Sequence, residues 1–538
     1  MTTEKRKEPR MFTGVLLLTI AGMAEKILGV LLKIPLSGYL GEEGMGYFNS
    51  AYNIFSTFYT VAITGLPIAT SIMISRSRMK GKKLEISHIF RVSLFLFVLI
   101  GLIGSSIMFF GGGAIATLID KNNNSPYCIQ AIAPILLFIC ISSSIRGFYQ
   151  GHQNMLPSAV SELLDALGKT ALGIAFGGYA MTHGYSVEIS AAAAIAGITI
   201  AHLFGMGYLI ITKCIVKPDY SYLDVELDTK NSASYITIFK KMMGIAIPIT
   251  LSSLALGLTA TIDTFTINNI LNSGHAMAIY GTYTTLAVTL YRLPQAFITP
   301  IASSLTPTLS AAIAAKNESK TRVTLYSSLK ITAIISIPCA VGMGVLARPI
   351  LSFLFGGSYS LDTIKNNAPL LSILSIAIFL MAMLTITSSI LQSYGKQSRP
   401  VISMSVGTVV KLILNVLLIP FVGIYGAPIA TVSSFFVMAF VNFVFVFKYA
   451  DVKASIFKAF ISPMLIILAC IPITLGSFFL LSEILRIERI ATVISICLTI
   501  VVYLFALFIT KTIGKEEVLM LPKGNKIYNK LVKIRLIK

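Results

Sequence analysis

Lys26 and Lys33 stand in an otherwise apolar run and are seven residues apart, so a helix puts both on one face, two turns from each other. Glu162, Asp165 and Lys169 follow one another at i+3 and i+4, a spacing that lets them form a neutralising ladder along one helix. Lys411 and Asn415 are again four apart. Arg292 lies in Leu290-Tyr291-Arg292-Leu293-Pro294, where the proline can open the backbone and leave carbonyls for a polar ligand. Glu25 adjoins Lys26, and Asp263 is an isolated carboxylate in a long apolar stretch. A charge at the centre of a bilayer costs about 2.5–3.5 kcal/mol on insertion scales, so these groups should face one another or a hydrated cavity. If Glu162 and Asp165 neutralise Lys169, then Lys26, Lys33, Arg292 and Lys411 keep charge to spare, which suits an anion such as a phosphate or diphosphate. Bland readings stand beside these: Lys33 snorkels to the interface, Glu25 partners a neighbouring lysine, the ladder glues helices together. Asp263 is the candidate coupling-ion site.

Catalytic signatures are missing. There is no G-x-x-x-x-G-K-[ST] and no H-E-x-x-H, and the five histidines are scattered. Six cysteines without C-x-x-C spacing give no support to a metal, haem or disulfide framework, and no cofactor is expected.

The elements that must position these groups follow from composition. The chain has 538 residues, 55% hydrophobic and 12% charged, against roughly 25% charged in soluble proteins. Mean hydropathy is +0.82. Apolar stretches recur from residue 11 to residue 510, enough for about 14 crossings of about 20 residues each. The expected fold is all-α and polytopic, with kinks in the proline-bearing spans 47–75 and 279–311. A net charge of +21 would suggest nucleic acid in a soluble protein, but here its placement explains it. About 33 of the Lys and Arg residues fall in the tails and alternate loops and about five in the opposite loops, which puts both termini in the cytoplasm. No nucleic-acid partner is implied; the basic C-terminal tail touches solvent or anionic lipid headgroups.

Two short matches suggest an internal duplication. Pro67-Ile68-Ala69-Thr70-Ser71 recurs as Pro300-Ile301-Ala302-Ser303-Ser304, and Tyr149-Gln150-Gly151-His152-Gln153-Asn154-Met155-Leu156-Pro157 recurs loosely as Ser393-Tyr394-Gly395-Lys396-Gln397-Ser398-Arg399-Pro400. Both shift the chain by six spans, an even number, so the repeats share one orientation and can rock about a central cavity. The expected organisation is a basic cytoplasmic tail (1–10), a six-helix bundle (11–212), a cytoplasmic linker (213–241), a second six-helix bundle (242–447), an extra helix pair (448–510) and a basic cytoplasmic tail (511–538).

Lys26-Ile27-Leu28-Gly29, Lys33-Ile34-Pro35-Leu36 and Gly41-Glu42-Glu43-Gly44-Met45-Gly46 resemble the first helix and following loop of the MurJ and stage V sporulation protein B group. That group belongs to the MOP superfamily of multidrug, oligosaccharidyl-lipid and polysaccharide exporters. Gly65-Leu66-Pro67-Ile68-Ala69 and the run Arg146-Gly147-Phe148-Tyr149-Gln150-Gly151-His152-Gln153-Asn154-Met155-Leu156-Pro157 resemble further signatures of its Gram-positive branch. The resemblance implies a multi-pass protein of the bacterial cytoplasmic membrane. Its implied activity is flipping an undecaprenyl-diphosphate-linked sugar, above all the peptidoglycan precursor lipid II, from inner to outer leaflet, beside membrane lipids and the cell-wall synthesis machinery. Family members carry basic cavity residues on helices 1, 2 and 8. Lys26 matches the basic position of the first motif, Lys33 stands where arginine is usual, and Arg292 is in the corresponding helix. Span 2 has no cation before Arg76, so a family arginine deep in that helix has no counterpart. Two alternatives stay open: a flippase for another lipid-linked polysaccharide, and a cation-coupled multidrug exporter of the same superfamily using Asp263, Glu162 or Asp165.

Overall fold

A computed structural model describes residues 8–120, 126–215, 233–271, 274–450, 458–510 and 512–513. Most of the N-terminal tail, most of the linker and nearly all of the C-terminal tail named above lie outside the described residues. Among the described residues every regular element is a helix. The first helices are α1 (Glu8–Ile63), α2 (Gly65–Met79), α3 (Lys83–Phe110), α4 (Gly112–Ile119), α5 (Tyr127–Gly151), α6 (Leu156–Thr182), α7 (Val187–Ile215) and α8 (Tyr235–Ile270). They are followed by α9 (Ala276–Thr282), a π-helical segment (Tyr283–Val288), α10 (Thr289–Tyr291), α11 (Gln295–Ala314), α12 (Glu318–Val345), α13 (Ala347–Phe355) and α14 (Leu361–Ser393). The last are α15 (Ser398–Val422), α16 (Gly426–Tyr449), α17 (Lys458–Leu485) and α18 (Glu488–Ile509).

Among the described residues ten helical segments are long and apolar enough to cross a membrane, one of them the continuous stretch Ser398–Tyr449 that holds two expected spans. Expected spans 11–35, 47–75 and 157–181 fall in α1, across α1 and α2, and in α6. The breaks have local causes. Gly41 interrupts α1 with φ 65 and ψ −166, a conformation that a Cβ would oppose. The anticipated kink in span 279–311 is a full interruption: Pro294 cannot donate, and Leu293, Gln295, Ala296 and Phe297 each bond only three residues back. Arg292 sits in that break.

The chain divides into two compact units, residues 1–281 and 282–538. In the first, α5 packs on α2, α3 and α7, and α6 packs on α1 and α7. The α8 helix, beyond the sequence boundary at 241, packs within this unit against α1 and α2. In the second unit α14 packs on α11, α12 and α16, and α15 packs on α16. The pairings of α14 with α11, α12 and α16 and of α15 with α16 parallel those of α5 with α2, α3 and α7 and of α6 with α7. The extra pair α17 and α18 pack on each other and rest on α12 and α13.

Lipid tails are as apolar as leucine, so helices in a bilayer gain little from apolar burial alone and hold by close packing. Unit 1 shows this where α6 meets α7. Gly197 presses on the Leu172 carbonyl, Gly168 faces Ala201 and Gly177 faces Ala194. The short motifs serve the same end. Gly147 and Gly151 on α5 leave room for Pro67, Ser71 and Ile74 on α2, so in this unit the P-I-A and Q-G elements are two sides of one helix contact.

Candidate functional site

The small-residue contacts bring α1, α5, α6 and α7 close enough for their charged side chains to meet. Lys169 Nζ on α6 lies 3.5 Å from Glu25 Oε1 on α1. Arg146 on α5 donates through Nη2 to Asp165 Oδ2 at 2.7 Å and through Nε to Ser161 Oγ at 2.9 Å, and its Nη1 is 3.8 Å from Glu162 Oε1. His202 Nδ1 on α7 lies 3.6 Å from Asp165 Oδ1, a buried oxygen that accepts no hydrogen bond among the described residues. Gly205 makes room for that carboxylate, since a methyl group there would overlap it. Thr170 Oγ1 donates to the Leu28 carbonyl at 3.2 Å and fixes α6 against α1 beside the Glu25–Lys169 pair.

This arrangement corrects the ladder expected within one helix. Glu162 and Asp165 turn to Arg146 of α5, and Lys169 turns to Glu25 of α1, so neutralisation runs between helices. Sequence reading quoted Arg146 only within a family motif and did not weigh it as a site residue. The structure puts it inside α5 with its side chain 13% exposed. Its signal was an arginine only nineteen positions before an unmatched aspartate, both in apolar runs.

Lys26 is exposed on α1, with no salt bridge among the described residues, and Lys33 is half-buried. Asp263 is buried on α8. In the second unit Arg292 is half-buried at the helix break, its Nε donating to Tyr291 Oη at 3.3 Å. Lys411 and Asn415 are buried on α15. The second unit has its own buried polar node where α14, α15 and α16 meet, and it is neutral. Asn442 Oδ1 accepts from Ser403 Oγ at 2.6 Å, and its Nδ2 donates to Ser388 Oγ at 2.9 Å and Thr387 Oγ1 at 3.2 Å.

Just past α5, His152 stacks on Phe148 with ring centroids 4.4 Å apart, its Nδ1 2.9 Å from the Phe148 carbonyl. Burial, opposed by that carbonyl and reinforced by the charges of Arg78 and Lys213, lowers its pKa from 6.5 to about 4. Lys213 Nζ in turn lies 3.0 Å from the Phe148 ring centroid.

Comparison with known proteins places this architecture. The family described as polysaccharide biosynthesis protein matches residues 11–313, and the MatE family matches residues 248–417. The chain is 26% identical over 470 residues to the lipid II flippase MurJ of Bacillus subtilis (strain 168), covering 83% of this chain and 84% of that protein. It is 24% identical over 467 residues to stage V sporulation protein B of the same organism, covering 85% and 87%. A solved structure of lipid II flippase MurJ in an inward closed conformation superposes with a TM-score of 0.70 at 16% identity, over 92% of this chain and 98% of that one.

Proposed function

Because this chain belongs to the polysaccharide biosynthesis protein family, we propose that it flips an undecaprenyl-diphosphate-linked saccharide between membrane leaflets by alternating access. It is a multi-pass membrane transporter of the MOP superfamily and groups with flippases and exporters rather than catalysts. The finer reading takes the peptidoglycan precursor lipid II as the first substrate to test and moves it outward, with both termini in the cytoplasm and the bacterial cytoplasmic membrane as the site. Lys26 and Lys33 on α1 and Arg292 at the helix break meet the charge of the diphosphate.

One observation carries this reading. Lys26 stands exposed while the carboxylates near it are engaged by Lys169 and Arg146. A cation kept in that state within an apolar helix is costly unless an anion visits it. An inside-negative potential adds about 2.3 kcal/mol per charge per 100 mV to outward movement of an anionic headgroup. Within unit 1 the Glu25–Lys169 and Arg146–Glu162–Asp165 groups neutralise one another and leave Lys26 its charge.

The test is the leaflet accessibility of labelled lipid II in cells depleted of their own flippase and re-expressing this chain. The unsubstituted chain should restore outer-leaflet lipid II. Lys26→Ala and Arg292→Ala should each reduce the flux about tenfold or more, the worth of one charge-assisted contact. Full flux from both variants overturns the assignment. A second reading is favoured by the MatE match, because residues 248–417 include Asp263. A cation-coupled exporter predicts that Asp263→Asn stops efflux of a cationic dye while the Lys26 and Arg292 variants keep it.

A further inference from the structure

The second copy of the duplicated motif, Ser393-Tyr394-Gly395-Lys396, has no part in the transport reading, and it gathers cations. Between α14 and α15 the chain turns on Gly395 at φ 71, and the Lys396 backbone N–H donates back to the Leu391 carbonyl at 2.9 Å. That turn sets Lys396 Nζ 5.1 Å from the centroid of the Tyr449 ring at the end of α16. Arg399, in the first turn of α15, places Cζ 5.6 Å from the same centroid and 5.4 Å from that of Phe445, one turn back on α16. Lys448 Nζ lies 5.8 Å from the Tyr449 centroid. Three cations therefore surround one half-buried ring, and among the described residues none of them forms a salt bridge.

The helices that carry this cluster are apolar on their outer faces. Starting from Arg399, the exposed residues Ile402, Val406, Val409, Ile413 and Leu417 follow at i+3 and i+4 along one face of α15. Starting from Lys448, exposed Val444 and Phe440 do the same along α16, which packs on α15. Two neighbouring apolar stripes thus begin at one group of cations. Arg399 and Leu417 are about 27 Å apart along the axis at about 1.5 Å per residue, close to the thickness of a hydrocarbon core, so the cations fall at headgroup level. An acidic peptide would meet the cations and leave the stripes to other molecules. A zwitterionic phospholipid would cover the stripes and leave the positive charge unbalanced. A phospholipid with a net negative headgroup answers both, its phosphate among the cations and one acyl chain on each stripe. Arg399, seated against two rings, is already positioned for the phosphate.

We propose that Lys396, Arg399 and Lys448 around Tyr449 form a headgroup site for an anionic diacyl phospholipid whose two acyl chains lie along α15 and α16. The site lies wholly within the second unit and does not depend on which saccharide the protein carries.

The experiment titrates the full-length protein in detergent micelles with phosphatidylglycerol or with phosphatidylcholine of identical chains, and native mass spectrometry counts the bound lipid. The unsubstituted protein should take its tightest phosphatidylglycerol about tenfold more strongly than phosphatidylcholine. The triple variant Lys396→Gln, Arg399→Gln, Lys448→Gln should bring the two lipids within about twofold and leave phosphatidylcholine binding as it was. Lys396→Arg with Lys448→Arg, which keeps the charge, should retain the preference. So should Arg76→Gln with Lys80→Gln and Lys83→Gln, which removes as many cations where α2 meets α3. Should the triple glutamine variant not fold, Arg399→Gln alone should lower the preference about threefold or more. Equal binding by the unsubstituted protein, a preference unchanged by the glutamine substitutions, or an equal loss from the α2–α3 variant overturns the site. Displacement of phosphatidylglycerol by polyglutamate also overturns it, and makes an acidic protein segment the occupant.

Discussion

Gly205→Ala tests whether the carboxylate of Asp165 is held where the contacts among α5, α6 and α7 require it. The added methyl would overlap that carboxylate, so either α6 and α7 separate or Asp165 rotates off Arg146. Overpacking of this kind costs about 1–3 kcal/mol. Rotation also removes the 2.7 Å bond to Arg146 Nη2 and leaves the guanidinium with Glu162 at 3.8 Å as its nearer counter-charge. A fully broken buried pair costs about 3–5 kcal/mol, but Glu162 remains in place, so about 2–4 kcal/mol is expected in all. In an Asp165→Ala background the methyl meets no carboxylate, and alanine's better helix propensity, worth about 1 kcal/mol over glycine, makes Gly205→Ala neutral or stabilising. Reversible unfolding of the single and double variants in mixed micelles, analysed as a thermodynamic cycle, should give a coupling of about 2–4 kcal/mol. Additivity of the two substitutions within about 0.5 kcal/mol would refute the reasoning, because independent sites behave that way.

Other expectations follow from the same structure. Because the folded protein holds His152 at about 4 and the unfolded chain at 6.5, the neutral ring contributes stability above about pH 6.5 that is lost as the pH falls towards 4. Melting temperature measured across that window should fall for the unsubstituted chain and fall less for His152→Gln. Asn442→Leu should cost about 1–3 kcal/mol, since it removes the amide bonded to the Ser403, Ser388 and Thr387 hydroxyls and leaves Ser388 Oγ without that bond in a buried site, and chemical denaturation should show that cost unchanged between pH 5 and pH 8, because the node holds no ionisable group. In vivo, Lys26→Arg should preserve much of the lipid II flux that Lys26→Ala removes, because the role assigned to it requires charge.

The helices were legible because a bilayer leaves few choices: a long apolar run must satisfy its own backbone. The break at Pro294 was legible because proline lacks a donor, whereas the interruption at Gly41 was not read from the sequence and shows only in its positive φ. In the first copy of the two weak matches the motifs meet, Pro67 and Ser71 lying against Gly147 and Gly151, a contact that spacing along the chain does not reveal. Charge pairing could not be read in this way. Sequence spacing names only neighbours on the same helix, so Glu162, Asp165 and Lys169 read as a ladder, while their partners come from α1 and α5. The glycines of α7 carried the missing information: Gly197 and Gly205 are two turns apart on the face that meets α6, and a face that close to its neighbour brings buried carboxylates within reach of other helices.

The neutral node at Asn442 and the charged cluster around Arg146 occupy matching helix junctions in the two halves, and the difference divides labour between them. Formal charges feel an applied voltage and a shift in hydration; an amide among hydroxyls scarcely does. At this pair of junctions a duplicated scaffold has thus kept formal charge in one half and given it up in the other, while Lys411 on α15 and Arg292 at the helix break carry the charge of the second half.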